Sequence, residues 1–466
     1  MNISELAARR DRAFFGNPSG LGWLSATEFW ERFSYYGMLT LLVLYMTHRL
    51  LTHGHVEHVI GLAALRRLLE SISGPLTPLA LSSRIYGLYS GTVYLTPILG
   101  GLLADRLLGR TRTVVLGASL MALGHFLMAF EATFLFALLC LLLGSGCFKG
   151  NLATQVGDLY GHDDPRRADA FQIYFLAIQI AVIFSPIVCG WLADRYGWPW
   201  GFGVAGVGML TGLAIYLSGR RTLAPELPRE AKAASEPRGD LSWNDWGVIA
   251  VLILMIPVIA VAAVGNQQIF NSYLVWAEKS YRLSLLGFSF PVEWLISFDS
   301  IVSTVTLGLV VAFWRWWATR WREPDELLKI TIGVAFAALA VVALVGAAAQ
   351  FEATGHRVTL WWGVVFELLN DIGFANIFPI GLALYSRAAP KGLGGTLVAI
   401  YLTNLFLGNM LVGYLGGLLD KMPATSFWLL HAGLIGASAV VLFAIRLLFG
   451  RAIAPEYAAA DVPAPV

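Results

Sequence analysis

Charged side chains are scarce in this chain. Only 13% of its 466 residues are Asp, Glu, Lys or Arg, against 57% hydrophobic, about half the charged share of an average soluble domain. A water-soluble core has no use for that much apolar surface. Excess charge of one sign is also missing. Lys and Arg number 32, Asp and Glu 30, and a formal net charge of +2 is too weak and too dispersed for a nucleic-acid partner. Cysteine is rare: Cys140, Cys147 and Cys189 each lie in an apolar run, without the spacing of a disulfide framework or a metal knuckle, and read as packing residues. No cleavable secretory signal opens the chain, because Met1 to Gly22 is polar and carries Arg9, Arg10 and Arg12 ahead of the first long apolar stretch. That cluster reads as a cytoplasmic end. There is no zinc-protease His-Glu-x-x-His and no serine elbow, and Gly144 to Lys149 lacks the glycine and hydroxyl that would flank the lysine of a phosphate loop, so no enzyme is expected. His53, His55 and His58 have no further ligand nearby in the sequence and read as a solvated loop, so neither metal nor cofactor is expected.

What the chain does have is long apolar windows. A helix needs about 20 apolar residues to cross the hydrocarbon, and twelve windows qualify: 23–47, 84–107, 112–130, 132–158, 169–192, 201–218, 246–277, 290–314, 327–349, 358–385, 394–419 and 426–449. The pattern predicts an all-α membrane protein. The window 246–277 is long enough for a tilted span or for a span plus an interfacial helix, and thirteen crossings would put the C-terminus outside. Loop charge favours twelve. The connections that would then be cytoplasmic hold Arg110 and Arg112, Arg166 and Arg167, Arg220 to Arg238, Arg315 to Lys329, and Arg387 with Lys391, which puts both termini inside an inner membrane. The first outer loop is the exception, with Arg49, Arg66, Arg67 and Arg84 and an amphipathic helical period over Val59 to Ile72. A polar, proline-containing stretch at 219–245 divides the chain into six-helix bundles at 1–218 and 246–450, and 451–466 reads as a disordered tail. Gly190-Trp-Leu-Ala-Asp194-Arg195 after the fifth span is echoed by Gly417-Leu-Leu-Asp420-Lys421 after the eleventh. Two parallel repeats with a midplane site are the architecture of one large class of secondary transporter.

An ionisable group at bilayer depth costs about 2.5–3.5 kcal/mol on insertion scales, so each needs a partner, water or a function. The first window breaks this rule three times. Glu28, Glu31 and Arg32 lie at i, i+3 and i+4, with Tyr35 and Tyr36 on the following turn, so one helical face carries two carboxylates, a guanidinium and phenols. A self-satisfied ion pair would leave one acid over. Lys149, in the fourth window after Gly144 and Gly146, is the candidate second base, and protonating a carboxylate paired with it would free the lysine. In the second half Glu367 and Asp371 are four apart, Asp299 stands alone in the eighth window, and Asn266, Gln267 and Gln268 form an amide cluster, with Gln179 an isolated amide in the fifth. Each amide taken singly reads more readily as interhelical glue than as a ligand contact.

Glu28-Phe-Trp-Glu31-Arg32-Phe33-Ser-Tyr35-Tyr36-Gly37 resembles the ExxERFxYYG signature of the proton-dependent oligopeptide transporters, within the major facilitator superfamily, and matches it in full. Gly100 to Thr113 is similar to the family's loop motif after the second span. Phe148-Lys149-Gly150-Asn151, Gly157-Asp158-Leu159-Tyr160 and Asp164-Pro165-Arg166-Arg167 resemble its fourth-span region. The resemblance implies a proton-coupled symporter that imports di- and tripeptides by alternating access in a lipid bilayer; a monomer is expected, though the sequence itself leaves the oligomeric state open. It implies a proton-responsive network of Glu28, Glu31, Arg32 and Lys149, and a central peptide cavity lined by Tyr35, Tyr36 and Tyr94, with Tyr401 of the eleventh span added to the substrate set. Departures bear on substrate. Leu39 replaces an arginine, Gln179 an asparagine, Asn266 an acid before Gln267, and Asp299 an asparagine. The glutamate that in the family faces the peptide ammonium aligns with Phe374 when Gly373 and Pro379-Ile380-Gly381 are held in register. Asp371, Glu367 or Asp299 is then expected to take over that contact. A same-fold carrier of another small polar or zwitterionic solute is the alternative.

Overall fold

The computed structural model describes residues 11–161, 164–224, 241–285, 287–390 and 393–453. Most of the polar stretch at 219–245, Arg9, Arg10, Lys391 and the tail from residue 454 lie outside the described residues. The helices are α1 (Ser19–Tyr45), α2 (Leu62–Ser73), α3 (Pro78–Thr92), α4 (Thr96–Leu103), α5 (Arg110–Leu127), α6 (Phe134–Asp158), α7 (Arg166–Tyr196) and α8 (Trp198–Gly219). They continue with α9 (Trp243–Ala262), the single turn α10 (Val264–Gln267), α11 (Ser272–Ser280), α12 (Trp294–Ala318), α13 (Glu326–Thr354), α14 (Trp361–Arg387), α15 (Gly394–Gly416) and α16 (Ala424–Ile453). The only strands among the described residues are Ser284–Leu285 and Phe288–Ser289, an antiparallel pair.

Each of the twelve expected windows falls on a helix or a broken pair of helices. Nine described helices, those of the fourth to twelfth windows, are long and apolar enough to cross a bilayer, so this is a multi-pass all-helical membrane protein. The second window is not one helix. Pro97, within the first turn of α4, cannot donate to the carbonyl four residues back and its ring would collide with it, so the helix ends at Thr92 and restarts at Thr96. The seventh window is broken as well. After α9 the backbone passes through α10 and a 3-10 turn before α11, and the Gln268 side-chain oxygen accepts from Ser272 N at 3.4 Å and from Asn271 Nδ2 at 3.1 Å. An amide side chain competing for backbone donors in this way interrupts a helix.

The described residues of the first compact unit fall in Met1–Pro78, Thr92–Ala234 and Phe290–Ser300; those of the second fall in Leu79–Gly91, Ser235–Ser289 and Ile301–Val466. In the first, α1 packs on α7 and α8, and α6 on α4 and α5. In the second, α13 packs on α14 and α16, and α9 on α15 and α16. The halves of the sequence and these units thus differ by one segment each: α3 packs with the second unit and the start of α12 with the first. The α3 crossing is close, since a Cβ on Gly87 would lie 2.8 Å from Gly413 Cα.

The amphipathic period in the first outer loop forms α2, bracketed by Gly61 at φ 83° and Gly74 at φ 72°, the left-handed conformation that glycine adopts without a Cβ penalty. Glu70 accepts from Arg66 Nε at 2.9 Å and from Leu76 N at 3.1 Å. The guanidinium first, then the backbone donor, hold this carboxyl below its usual range. Its contribution to stability is present at neutral pH and is lost in acid, as pH falls through the lowered value. The three cysteines are free and buried.

The α4–α6 contact is tight enough to test. A Cβ on Gly100 would run into the carbonyl of Gly146, whereas one on Gly101 would meet nothing within 4 Å. Gly100→Ala should therefore cost about 1–3 kcal/mol by overpacking, and Gly101→Ala should gain up to about 1 kcal/mol from helix propensity. Thermal unfolding of the purified protein in detergent reads both. Equal melting temperatures for the two variants would contradict this packing.

Candidate functional site

In the first unit the α1 face holds its charges together. Glu28 and Arg32 are four residues apart with the acid nearer the N-terminus, the favourable order on a helix, and Arg32 Nε donates to Glu28 Oε1 at 2.6 Å. The same nitrogen lies 2.9 Å from Glu31 Oε2. The other oxygen of Glu28 accepts from the Tyr174 hydroxyl of α7 at 2.6 Å. Both carboxylates are sealed, with Glu28 1% and Glu31 0% exposed, and neither Glu31 oxygen has a hydrogen-bond partner among the described residues. Tyr174 was not legible as a site residue, because one tyrosine in an apolar run carries no periodic signal.

Lys149 reaches the same place from α6. Its ammonium lies 3.9 Å from the centroid of the Tyr35 ring, within cation–π range, and it feels the charges of Arg32, Glu31 and Glu28. No ion pair within 4 Å joins it to either carboxylate among the described residues. Tyr36 meets Tyr35 edge-on at 5.2 Å and lies in the field of Arg32, both glutamates and Asp299. Tyr94 lies in the fields of Tyr36 and Arg32. Arg32, Tyr36, Tyr94, Lys149 and Asp299 are half-buried, unlike the two glutamates. Of the expected residues, Glu28, Glu31, Arg32, Tyr35, Tyr36, Tyr94, Lys149 and Asp299 therefore converge in one unit. Gln179 is half-buried on α7, five residues after Tyr174 and about 140° around the helix from it.

The remaining expected residues are in the second unit. A narrow pocket there, with cavity space of about 20 Å³, is lined by Asn266, Asn370, Phe374, Phe378, Tyr401 and Asn404 among others. Phe374 and Phe378 stack at 5.5 Å with their planes 6° apart. The Tyr401 hydroxyl is engaged by α14, donating toward Phe378 O at 3.1 Å and Ile377 O at 3.3 Å. Gln267 accepts from Asn409 Nδ2 at 3.3 Å. Glu367 and Asp371, 1% and 2% exposed, are not in the pocket lining; Glu367 lies against the phenols of Tyr273 and Tyr281. Asn370 and Asn404 were not anticipated, since a lone amide in an apolar helix looks the same whether it binds a ligand or another helix.

The family described as the POT family matches residues 111–235 and 246–432. Peptide transporter YePEPT of Yersinia enterocolitica is 28% identical over 515 residues, covering 93% of this chain and 95% of that protein. A di-/tripeptide transporter of Lactococcus lactis is 29% identical over 468 residues, covering 96% and 83%. A solved peptide transporter POT in complex with alafosfalin superposes with a TM-score of 0.80 at 23% identity, covering 97% of this chain and 99% of that one. This last likeness fixes the major facilitator fold.

The cluster on α1 predicts an order of losses. Arg32→Met strands two buried carboxylates and should cost about 3–5 kcal/mol, whereas Tyr174→Phe removes one donor from Glu28 and should cost about 1–3 kcal/mol. Thermal melts at neutral pH measure both. A Tyr174→Phe loss as large as that of Arg32→Met would mean that the phenol, not the guanidinium, carries the site.

Proposed function

The chain belongs to the POT family, and on that premise we propose that it is a proton-coupled symporter importing di- and tripeptides by alternating access, and not an enzyme. The observation that carries this reading is the α1 cluster. Two buried carboxylates share one guanidinium, and a second cation, Lys149, is held over a tyrosine ring within their field. Such a set has a natural proton response. Protonating Glu31 or Glu28 cancels half of the negative charge that attracts Arg32 and Lys149. The lysine, half-buried and not sealed like the two glutamates, is then released to a substrate carboxylate, and the substrate carboxylate in turn favours the protonated state. Substrate and proton thereby shift the same conformational equilibrium, which is the thermodynamic content of symport.

The substrate ammonium needs an acid. Of the three candidates, Glu367 and Asp371 are sealed, while Asp299 is half-buried and within the field of Tyr36. The reading therefore assigns the ammonium contact to Asp299. A monomer in the inner membrane with both termini cytoplasmic fits the loop arginines, and the polar stretch at 219–245 then serves as the cytoplasmic linker between six-helix halves. The second reading keeps fold and proton coupling but moves another zwitterionic solute. What favours it is the phenylalanine at 374 and the absence of any charged residue from the pocket that it lines.

The test is uptake of labelled Ala-Ala into proteoliposomes with and without an inward proton gradient, with unlabelled amino acids, dipeptides and other zwitterions as competitors. Concentrative uptake should require the gradient. Glu31→Gln should lower gradient-driven uptake at least tenfold while counterflow exchange persists, and Asp299→Asn should weaken competition by peptides with a free N-terminus by about tenfold. Uptake by Glu31→Gln that still follows the gradient would remove the α1 carboxylates from coupling, and competition by other zwitterions but no peptide would select the second reading.

A further inference from the structure

A larger cavity lies in the first unit, at the end of α1 remote from the ionic cluster. Its volume is about 240 Å³, and Tyr45, Arg49, Met128, Glu131, Trp198 and Pro199 are among its lining residues. Tyr45 is fourteen residues beyond Glu31, roughly 21 Å along a helix that rises 1.5 Å per residue, so the two places share α1 but no side chain. Three connections build the cavity. Arg49 sits in the turn Met46–Leu50 that ends α1, Met128 and Glu131 lie between α5 and α6, and Trp198 and Pro199 stand where α7 meets α8. Gly197, at φ 98°, makes that last junction a single-residue turn, in a conformation costly for any residue with a Cβ. The Tyr45 ring is fixed by Phe134, Trp198 and Phe202, with centroids at 6.0, 5.7 and 5.1 Å.

The charges on the wall are those of Arg49 and Glu131, and they touch: Arg49 Nε donates to Glu131 Oε1 at 3.0 Å. The second Glu131 oxygen meets His55 Nδ1 at 2.9 Å. The terminal nitrogens of Arg49 have no hydrogen-bond partner among the described residues, and its side chain is 51% exposed, which leaves their donors for a ligand. A bare anion placed here is drawn by the guanidinium and repelled by the carboxylate, and a bare cation meets the reverse. A group carrying both signs is attracted at both ends. Its two charges must lie close together, because the charges that face them do. Two carbons between phosphate and ammonium, as in a phosphoethanolamine head group, meet that condition. The termini of an extended dipeptide, up to about 7 Å apart, fit it less well.

The surroundings are apolar. Phe130, Trp191, Tyr196 and Trp200 are exposed, and the rings of the last three follow one another at 5.9 and 6.2 Å. Phe130 directly precedes Glu131, and Trp200 directly follows Pro199. Exposed tryptophan and tyrosine in a bilayer protein gather at the level of the head groups. A cavity serving a solute from bulk water has no need of such neighbours, whereas a lipid brings acyl chains to cover them. The volume is below the roughly 300–1,000 Å³ of pockets that hold drug-sized ligands and suits a head group.

We propose that this cavity is a lipid site that takes the head group of an aminophospholipid, with the phosphate on Arg49 and the primary ammonium on Glu131. The assignment needs a bilayer around the chain and stands whether or not the symporter reading does. It carries a selectivity. A choline head group has no N–H to give Glu131, and a glycerol head group has no cation, so both bind less well.

The test uses the full-length protein, stripped of lipid in detergent and titrated with dioleoyl phosphatidylethanolamine, its N-methyl and N,N-dimethyl forms, phosphatidylcholine and phosphatidylglycerol, with bound lipid counted by native mass spectrometry. Phosphatidylethanolamine should fill one site about tenfold more tightly than phosphatidylcholine, the scale of one charge-assisted hydrogen bond, and the advantage should vanish with the last N–H. Arg49→Gln should weaken that site about tenfold, and Glu131→Gln should erase the preference for ethanolamine over choline. Added phosphatidylethanolamine should raise the melting temperature of the wild type and not that of Arg49→Gln. The methyl series is read on the wild type alone, so it decides the matter even where a variant fails to fold. Equal affinity for all five lipids would mean an unselective annulus and overturn the site. Tighter binding of phosphatidylglycerol than of phosphatidylethanolamine would make it a site for anions and overturn the zwitterion assignment. Selectivity unchanged in both variants would put the lipid elsewhere, and displacement of phosphatidylethanolamine by free alanine would give the cavity to a soluble zwitterion; either result overturns the proposal.

Discussion

The molecule depends on charge being held inside apolar matter. Arg32 stands within 3 Å of two carboxylates, and both acids are shut off from solvent. A buried ion pair of this kind is a poor source of net stability, since desolvation cancels most of the attraction; its loss, by contrast, leaves stranded charge. On the proposed reading, that asymmetry suits the cluster to sensing a proton. Adding one proton changes the local balance by a full unit in a medium that screens poorly, and helices α1, α6 and α7 all supply members of the cluster. Lys149 is held by the face of an aromatic ring and by field, with no direct carboxylate bond among the described residues. A cation so held is easier to transfer to an incoming anion than one in a bidentate pair.

The features legible in the sequence were those with a period or a composition. The twelve windows followed from apolar length, and Glu28, Glu31 and Arg32 were conspicuous because charge in such a run has few explanations. The convergence of Lys149 on them followed from the count of acids against bases. What escaped had no such signature. Tyr174 is one phenol among aromatic residues, and only the fold brings it to Glu28. Asn370 precedes Asp371, and the acid drew the attention although it is Asn370 that is among the residues lining the pocket. Boundaries failed where chemistry is local: Pro97 splits the second window, and Gln268 captures a backbone donor in the seventh.

The membership of the packed units was also out of reach of the sequence. An apparent half-chain repeat suggests that each half packs on itself, yet α3 packs against α15, with Gly87 and Gly413 nearly in backbone contact. Glycine pairs permit such approaches between helices that are remote in sequence, and no periodicity in either helix announces its partner.

The two units have taken different chemical routes. In the first, acids and bases of opposite sign face one another at close range, and protonation is the variable. In the second, the pocket has lost charge altogether, with an amide at Asn266 and a ring at Phe374, while its acids Glu367 and Asp371 are buried away from that lining. Neutral donors and acceptors barely respond to pH, so selectivity exerted through them stays constant as the proton gradient varies. On the proposed symporter reading, proton response rests on the α1 cluster and not on the neutral pocket, so the asparagines of that pocket can be exchanged without disturbing the ionic cluster.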